Sequence, residues 1–324
     1  AHLEKAFSII TGSSSGGKRV STCGDSENDY RQSKKIILSG MYWSGTGALY
    51  DYFKEFKDVK ALPVEQRLWK ESDYSLGWGL KNIEKIDDEG LRQYLIRLFL
   101  IPLTGLVMPR CWQDVLGGKV GINSVRNDKR GKYSLSIFDF FRAITCLRAE
   151  KKLDYSSFLS LSAILTDRVL NALSGDFSGN ILPDNAVHIG DIENFKFFSN
   201  AHLICVFRDP RSNYAARYHE NIRFRKTPDE FIKYYRETRE NYAKKLYKFN
   251  DISDKIIEVQ FEEFILSEDF RKSLALKLDL DLTGWRRERY FKQYKSEKNV
   301  YNYRNFSDSK VIDLIGSSLK EYCW

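Results

Sequence analysis

The sequence contains no C-x-x-C pair, and its five cysteines, Cys23, Cys111, Cys146, Cys205 and Cys323, are odd in number and far apart. A disulfide framework and a structural zinc site are therefore not expected. The four histidines add no metal-ligand spacing, so no metal is expected either, and a reducing compartment suits the chain best. Long apolar runs are also missing. The most hydrophobic stretch, YLIRLFLIPLTGLVM at 94–108, is broken by Arg97 and Pro102 and falls short of the ~18 to 20 residues needed to span a bilayer. It reads as a buried helix followed by a turn, with no membrane span and no secretory signal at the N-terminus; the cytoplasm is the expected location.

Charge is plentiful. Fifty-two Lys and Arg against 44 Asp and Glu leave a formal charge of +8 in 324 residues, a balance that favours anionic ligands without choosing among them. A nucleic-acid partner is not expected, because no recognition motif or stacking-platform spacing accompanies the charge.

Residues 1–33 are expected to form a flexible extension, with GSSSGGKRVSTCGDSENDYRQS at 12–33 rich in Gly, Ser and charge, and the folded domain is expected over 34–324. Three apolar strands followed by helical patterns stand out. KKIILSG precedes TGALYDYFKEF; strand 202–208 precedes a helix from about 211; strand 255–260 precedes a helix starting near Glu262. Between about 80 and 180 the strand signal weakens, and LSIFDFFRAITCLRAE and YSSFLSLSAILTDRVLNAL show helical spacing of apolar residues. The expected architecture is α/β, a P-loop-like, largely parallel sheet flanked by helices, with a mostly helical insertion.

The stretch SGMYWSGTGALYDYF at 39–53 has the shape of a phosphate-binding loop. Gly40 and Gly45 have the Walker spacing G-x-x-x-x-G, but Thr46 occupies the lysine position. A strand feeding such a turn and then a helix gathers backbone N–H groups at the positive end of a helix dipole. Gly40, Gly45 and Gly47 permit close approach, and Ser44 and Thr46 add hydroxyls. Without the lysine and its charge, a triphosphate with Mg²⁺ is a poor match and a 5′-phosphate group a good one. In the second unit, Arg208-Asp209-Pro210-Arg211 ends a strand and opens a helix, with Pro210 suited to the first turn. Arg208 thereby emerges at the carboxyl edge of the sheet, where open α/β folds bind ligands, as a fork donor matched to phosphate.

A strand–SGT–helix loop followed by strand–RDPR–helix resembles the sulfotransferases that use 3′-phosphoadenosine-5′-phosphosulfate, here of the carbohydrate-modifying type. The third unit, VQFEEFILSEDFRKSLALKLDLDL, and the segment SEKNVYNYRNFS at 296–307 are similar to that family's later stretches. The resemblance implies that the loop, with Tyr42 and Trp43 among its residues, cradles the 5′-phosphosulfate. It implies that Arg208 binds the 3′-phosphate and that the late loop, with Tyr303 and Arg304, closes over the nucleotide. The product would be 3′-phosphoadenosine 5′-phosphate. The sequence departs from the family twice. Trp43 stands where many members have Lys or Arg, and Ala216 stands where a serine contacts the 3′-phosphate; Ser212 or Arg217 is expected to supply the latter contact.

Sulfuryl transfer needs an aligned acceptor hydroxyl, a base and fixed positive charge on the leaving group. Glu65, in LPVEQRLWKE, lies where glycan-modifying members place a catalytic glutamate and is the first choice as base; Arg67 beside it is a candidate for the cation missing at Trp43. His188, in LPDNAVHIGDI, is the competing base, with Asp184 a third candidate facing the acceptor; His219 reads as a surface or packing residue. A glutamate base points to a sugar hydroxyl on a polysaccharide or glycolipid. SVRNDKRGKY at 124–133 and NIRFRKTPDEF at 221–231 are candidate guides for an anionic glycan, and Trp69, Trp78 and Trp112 are candidates for stacking on sugar rings. A small phenolic or steroid acceptor stays open, as does a Golgi-lumen location for the luminal part of an anchored enzyme. Two other classes also stay open: a nucleotide-dependent kinase on the same scaffold, and a non-catalytic binder of nucleotide or anionic glycan.

Overall fold

The computed structural model describes residues 33–65, 68–69, 75–105, 127–175, 177–220 and 227–324. Five strands, β1 (Lys35–Gly40), β2 (Val59–Glu65), β3 (Asn180–Asp184), β4 (Ala201–Phe207) and β5 (Ile256–Gln260), form one parallel sheet in the order β2-β3-β1-β4-β5. The expected α/β architecture with flanking helices is what the chain adopts. Central strands of such a sheet are covered on both faces and so need apolar residues in unbroken runs. Accordingly Ile36, Ile37 and Leu38 of β1 are all buried, as are Leu203 to Phe207 of β4. At the edge, β5 alternates instead, with Ile257 and Val259 inward and Glu258 exposed.

Strands β2 and β3 escape the sequence reading, which found three strands. Each contains a proline, Pro63 in VKALPVE and Pro183 in NILPD. Proline removes a ladder donor and argues against a strand, yet both segments pair.

The chain divides into two compact units, one taking residues through Lys35, Leu62–Ile181 and Asn194–Asn200, the other Ile36–Ala61, Leu182–Glu193 and Ala201–Trp324. With the loop helix Thr46–Phe53 as α1, the first unit carries α2 (Leu76–Asn82), α3 (Asp88–Gly105), α4 (Asn127–Ala149) and α5 (Tyr155–Ser174). Helix α5 starts in a reciprocal capping box between Asp154 and Ser157 and stops at Gly175, whose φ of 69° suits a left-handed cap. Inside this unit Lys35 is fully buried and pairs with Asp167 at 2.9 Å; the Ser199 hydroxyl donates to the same carboxylate at 2.7 Å. Breaking a buried pair from one side strands the other charge. Lys35→Ala is therefore expected to lower unfolding free energy by about 3–5 kcal/mol in urea titration; a loss under about 1 kcal/mol would contradict the assignment of this pair as a structural tie.

The second unit carries α1, α6 (Pro210–Glu220), α7 (Pro228–Lys248), α8 (Phe261–Leu266), α9 (Glu268–Lys277), α10 (Gln293–Val300) and α11 (Ser309–Ser318). Its core sets Ile36 and Leu38 with Val206 and Val259 against Tyr52, Phe53 and Phe264. The Tyr52 ring meets Phe56, Phe264 and Phe291 edge-on, and its hydroxyl donates to the Arg271 carbonyl at 2.8 Å, which satisfies the one polar atom that Tyr52 brings into this aromatic cluster. Buried Glu55 accepts the backbone N–H groups of Arg289, Tyr290 and Phe291 and so fixes the turn that leads into α10.

Candidate functional site

The loop between β1 and α1 is built on a tight turn. The Ser44 amide donates to the Met41 carbonyl at 3.0 Å, and Trp43, the turn's third residue, has φ 60°. That left-handed position usually goes to Gly or Asn, and a bulky residue there costs of the order of 1 kcal/mol or more. Gly45 follows with φ 96° and caps α1 without any side-chain hydrogen bond to the first-turn amides. A Cβ on Gly45 would sit 2.2 Å from the Phe261 ring, and one on Gly40 would sit 2.1 Å from Ser44 Oγ and 3.1 Å from the Val206 carbonyl. Gly47, by contrast, has nothing within 4 Å of a Cβ position. The Ser44 hydroxyl in the loop is 1 % exposed and has no hydrogen-bond partner among the described residues. Buried polar atoms without partners are rare; one at an uncapped helix N-terminus describes a seat for an anion.

The segment from the end of β4 through α6 holds this loop in shape. Arg208, one residue beyond β4 and almost fully buried, donates from Nη1 to the Trp43 carbonyl at 3.0 Å and from Nη2 to the Asn299 carbonyl. It thus ties the loop to the end of α10. Its guanidinium lies 4.9 Å from the centre of the Phe261 ring, the same ring that crowds Gly45. The backbone around it is equally fixed: Tyr235 Oη donates to the Arg208 carbonyl at 2.6 Å, and the Asp209 carboxylate takes a fork from Arg211 at 3.0 and 2.6 Å. Asn213 Nδ2 donates to the Tyr42 carbonyl at 3.0 Å. One turn on, the Arg217 guanidinium lies 5.3 Å from the Trp43 ring centre and 5.4 Å from that of Tyr234. Positions i and i+4 share a helix face, so Asn213 and Arg217 meet successive loop residues.

Glu262 supports the second motif from the start of α8. It is buried, accepts the Asp209 amide at 3.0 Å and the Gln260 side-chain amide at 2.6 Å, and burial raises its pKa from 4.5 to about 7. The folded protein therefore holds this proton more tightly than the unfolded chain. Its effect on stability is absent below about pH 4.5, where both states are protonated. Between about 4.5 and 7 stability falls as pH rises, and above 7 the full cost of about 3 kcal/mol persists. Glu262→Gln keeps an acceptor for the Asp209 amide and removes the titration. Chemical unfolding from pH 4 to 8 should show a descending wild-type curve and a flatter one for the variant; parallel curves would refute the linkage.

His188 lies in the turn after β3, its ring 5.9 Å from that of Tyr42. The Gly190 amide donates to His188 Nδ1 at 3.1 Å, so the neutral ring carries its proton on Nε2. Lys245 of α7 locks this turn, donating to the Gly190 carbonyl, to Asp191 Oδ1 at 3.3 Å and to Glu193 Oε1 at 2.8 Å.

The second unit thus brings together Gly40, Tyr42, Trp43, Ser44, Gly45, Thr46, Gly47, Arg208, Ser212 and Arg217. Ser212 is buried and donates to the Val300 carbonyl at 2.6 Å, a second tie to the end of α10. Tyr303 and Arg304 lie on the short 3₁₀ turn Asn302–Asn305; the Arg211 guanidinium covers the Tyr303 ring at 4.4 Å, and Arg304 covers Tyr301 at 4.1 Å. Asn213 and Glu262 were missed by the sequence reading. Asn213 had a usable signal in its i+4 spacing to Arg217; Glu262 had none. Glu65 is the last residue of β2 and Asp184 the last of β3, but their side chains, that of His219, and Arg67 lie outside the described residues. The basic runs 124–133 and 221–231 fall there in part as well, and so does Trp112. Trp69 does not stack on a ligand: it is fully buried, donating to Thr166 at 2.8 Å, while Trp78 packs on Tyr94. Among the described residues no group of three His, Cys, Asp or Glu side chains is placed to hold a metal ion, and no helix is long and apolar enough to cross a membrane.

No family model and no curated protein sequence matches this chain. Among solved structures it is similar to a sulfotransferase, STF9, from Mycobacterium avium, at 15% identity and TM-score 0.42, over 90% of this chain and 76% of that one. It is also similar to the sulfotransferase domain of the Synechococcus PCC 7002 olefin synthase, at 12% identity and TM-score 0.39, over 88% of this chain and 93% of that one. At these scores the likeness carries no weight beside the geometry of the site itself.

Proposed function

We propose that this protein transfers a sulfuryl group from 3′-phosphoadenosine-5′-phosphosulfate to a hydroxyl group, most suitably one on a carbohydrate. The observation that carries the proposal is the loop 39–47. It is a strand-to-helix anion seat with a buried, unpartnered hydroxyl at Ser44 and no lysine, tied by the buried Arg208 to the end of α10. A seat of this kind suits a phosphosulfate better than a triphosphate with Mg²⁺, which needs the lysine's charge. When bound, the donor supplies a sulfuryl group on a good leaving group. First-turn amides of α1 with Ser44 and Thr46 would hold the 5′ end, and Arg208 the 3′-phosphate. Tyr303 and Arg304, adjoining the tie at 299–300, would cover the nucleotide.

Glu65 and His188 are the candidate bases for the hydroxyl proton, with Arg67 and Asp184 as candidate acceptor contacts. His188, protonated at Nε2 in the neutral ring, is also suited to donate a hydrogen bond to a substrate oxygen. Incubation with the ³⁵S-labelled donor and a panel of glycans, glycolipids, phenols and sterols tests the reading directly. Label on a sugar hydroxyl, lost in Glu65→Gln, supports it; donor binding without transfer to any acceptor favours a non-catalytic binder instead. Expected partners are the donor nucleotide and its acceptor, with no metal and no nucleic acid.

A further inference from the structure

An anion seat needs fixed positive charge, yet residues 39–47 contain neither Lys nor Arg. The charge must come from outside the loop, and α6 with the residues leading into it brings two guanidinium groups to one loop residue. Arg208 approaches Trp43 through its carbonyl oxygen, at 3.0 Å, and uses a second nitrogen on the Asn299 carbonyl. Arg217 approaches the same residue through its ring, at 5.3 Å, and also lies 5.4 Å from the centre of the Tyr234 ring. It is only 5 % exposed. Burial lowers its pKa from the usual arginine value, although a guanidinium stays charged at any physiological pH.

The strained backbone of Trp43 fits this picture. A left-handed turn position that glycine would occupy without cost instead carries a side chain that stacks on Arg217. Asn213, four residues before Arg217 on the same helix face, fixes the preceding carbonyl of Tyr42. The result is a guanidinium held against the tip of the loop, on a helix that Asn213 ties to the loop and that begins two residues after Arg208, the loop's other tie.

We infer that Arg217 is the cation of the loop, neutralising the 5′-phosphate end of the nucleotide in place of the absent loop lysine, and that Trp43 is its positioning residue. This inference rests on the nucleotide reading above and revises one part of it: the α6 arginine that the sequence assigned to the 3′-phosphate belongs to the opposite end. The guanidinium's planar set of N–H donors suits a fork of bonds to phosphate or sulfate oxygens.

The test is calorimetric titration of the wild type, Arg217→Ala, Arg217→Lys and Trp43→Ala with three probes: adenosine 3′,5′-bisphosphate, adenosine 5′-phosphate and adenosine 3′-phosphate. Loss of a charge-assisted bond predicts a roughly 10- to 100-fold weaker affinity of Arg217→Ala for the two probes that carry a 5′-phosphate. Adenosine 3′-phosphate should bind Arg217→Ala as it binds the wild type. Arg217→Lys should recover part of the loss, and Trp43→Ala should lose about 5- to 10-fold on the same two probes, as a misplaced rather than missing cation would. Equal losses on all three probes, or a loss confined to adenosine 3′-phosphate, would overturn the assignment. If the wild type binds the bisphosphate and Arg217→Ala binds it equally well, the inference fails while the nucleotide reading stands. If the wild type binds none of the three, both fall. Arg217→Lys, which retains charge and bulk, gives the comparison should Arg217→Ala not fold.

Discussion

Replacing Arg208 by alanine is expected to weaken binding of adenosine 3′,5′-bisphosphate by more than about 100-fold, the largest loss for any single side chain here. Three effects combine. The charge expected at the 3′-phosphate disappears. The Trp43 and Asn299 carbonyls both lose their donor, so the loop and the end of α10 are no longer held by one group. The Trp43 turn, already in a costly conformation, also loses the contact that constrains it. Arg208→Lys is not a conservative change at this place, because one ammonium cannot serve two carbonyls in different directions as a planar fork does; it should recover less than about a tenth of the lost affinity. Calorimetry on folded variants checks this, and an Arg208→Ala protein that binds within a factor of about three of wild type would remove Arg208 from the site.

The second large effect concerns the loop backbone. Gly45→Ala is expected to unfold the loop and cost about 3 kcal/mol or more of stability. The new Cβ would stand 2.2 Å from the Phe261 ring, at a φ of 96° that L-residues avoid. Phe261 cannot move aside freely, because it lies in the core cluster and underlies Arg208. Gly47→Ala is the matching control. It lies inside α1 with open space around its Cβ position, so the fold should tolerate alanine and gain up to about 1 kcal/mol of helix propensity. Thermal or urea unfolding of the two variants side by side separates a steric requirement from general loop sensitivity. Comparable stabilities for the two proteins would contradict it.

Much of this site could be read before any coordinates, and the reason is local. An apolar run, a glycine turn and a helical pattern fall together around 39–53, and Arg208-Asp209-Pro210-Arg211 has its strand on one side and its helix on the other. The parallel sheet followed from the same units. What stayed hidden depends on the third dimension. Strands β2 and β3 contain Pro63 and Pro183, which argue locally against pairing that neighbouring strands nonetheless impose. Trp69 has the composition of a sugar platform, but only packing shows that it is enclosed and bonded to Thr166. Ser212 was one of two residues, with Arg217, expected at the 3′-phosphate, and its hydroxyl donates to the Val300 carbonyl, 88 residues away. Glu262 gave no sign of its place beneath Asp209, since its bond to the Asp209 amide joins segments 53 residues apart. The histidine tautomer likewise depends on one backbone amide, that of Gly190.

The central claim is that the site, with its loop at the 5′ end and Arg208 at the 3′-phosphate, selects a nucleotide with a 3′-phosphate over a nucleoside triphosphate. Calorimetric titration of the wild-type protein with adenosine 3′,5′-bisphosphate, adenosine 5′-phosphate and ATP with Mg²⁺ tests it most directly. The account predicts that the bisphosphate binds at least about 100-fold more tightly than either competitor, a difference of about 2.7 kcal/mol. ATP with Mg²⁺ binding as tightly as the bisphosphate, or more so, would contradict it and turn the search towards phosphoryl transfer.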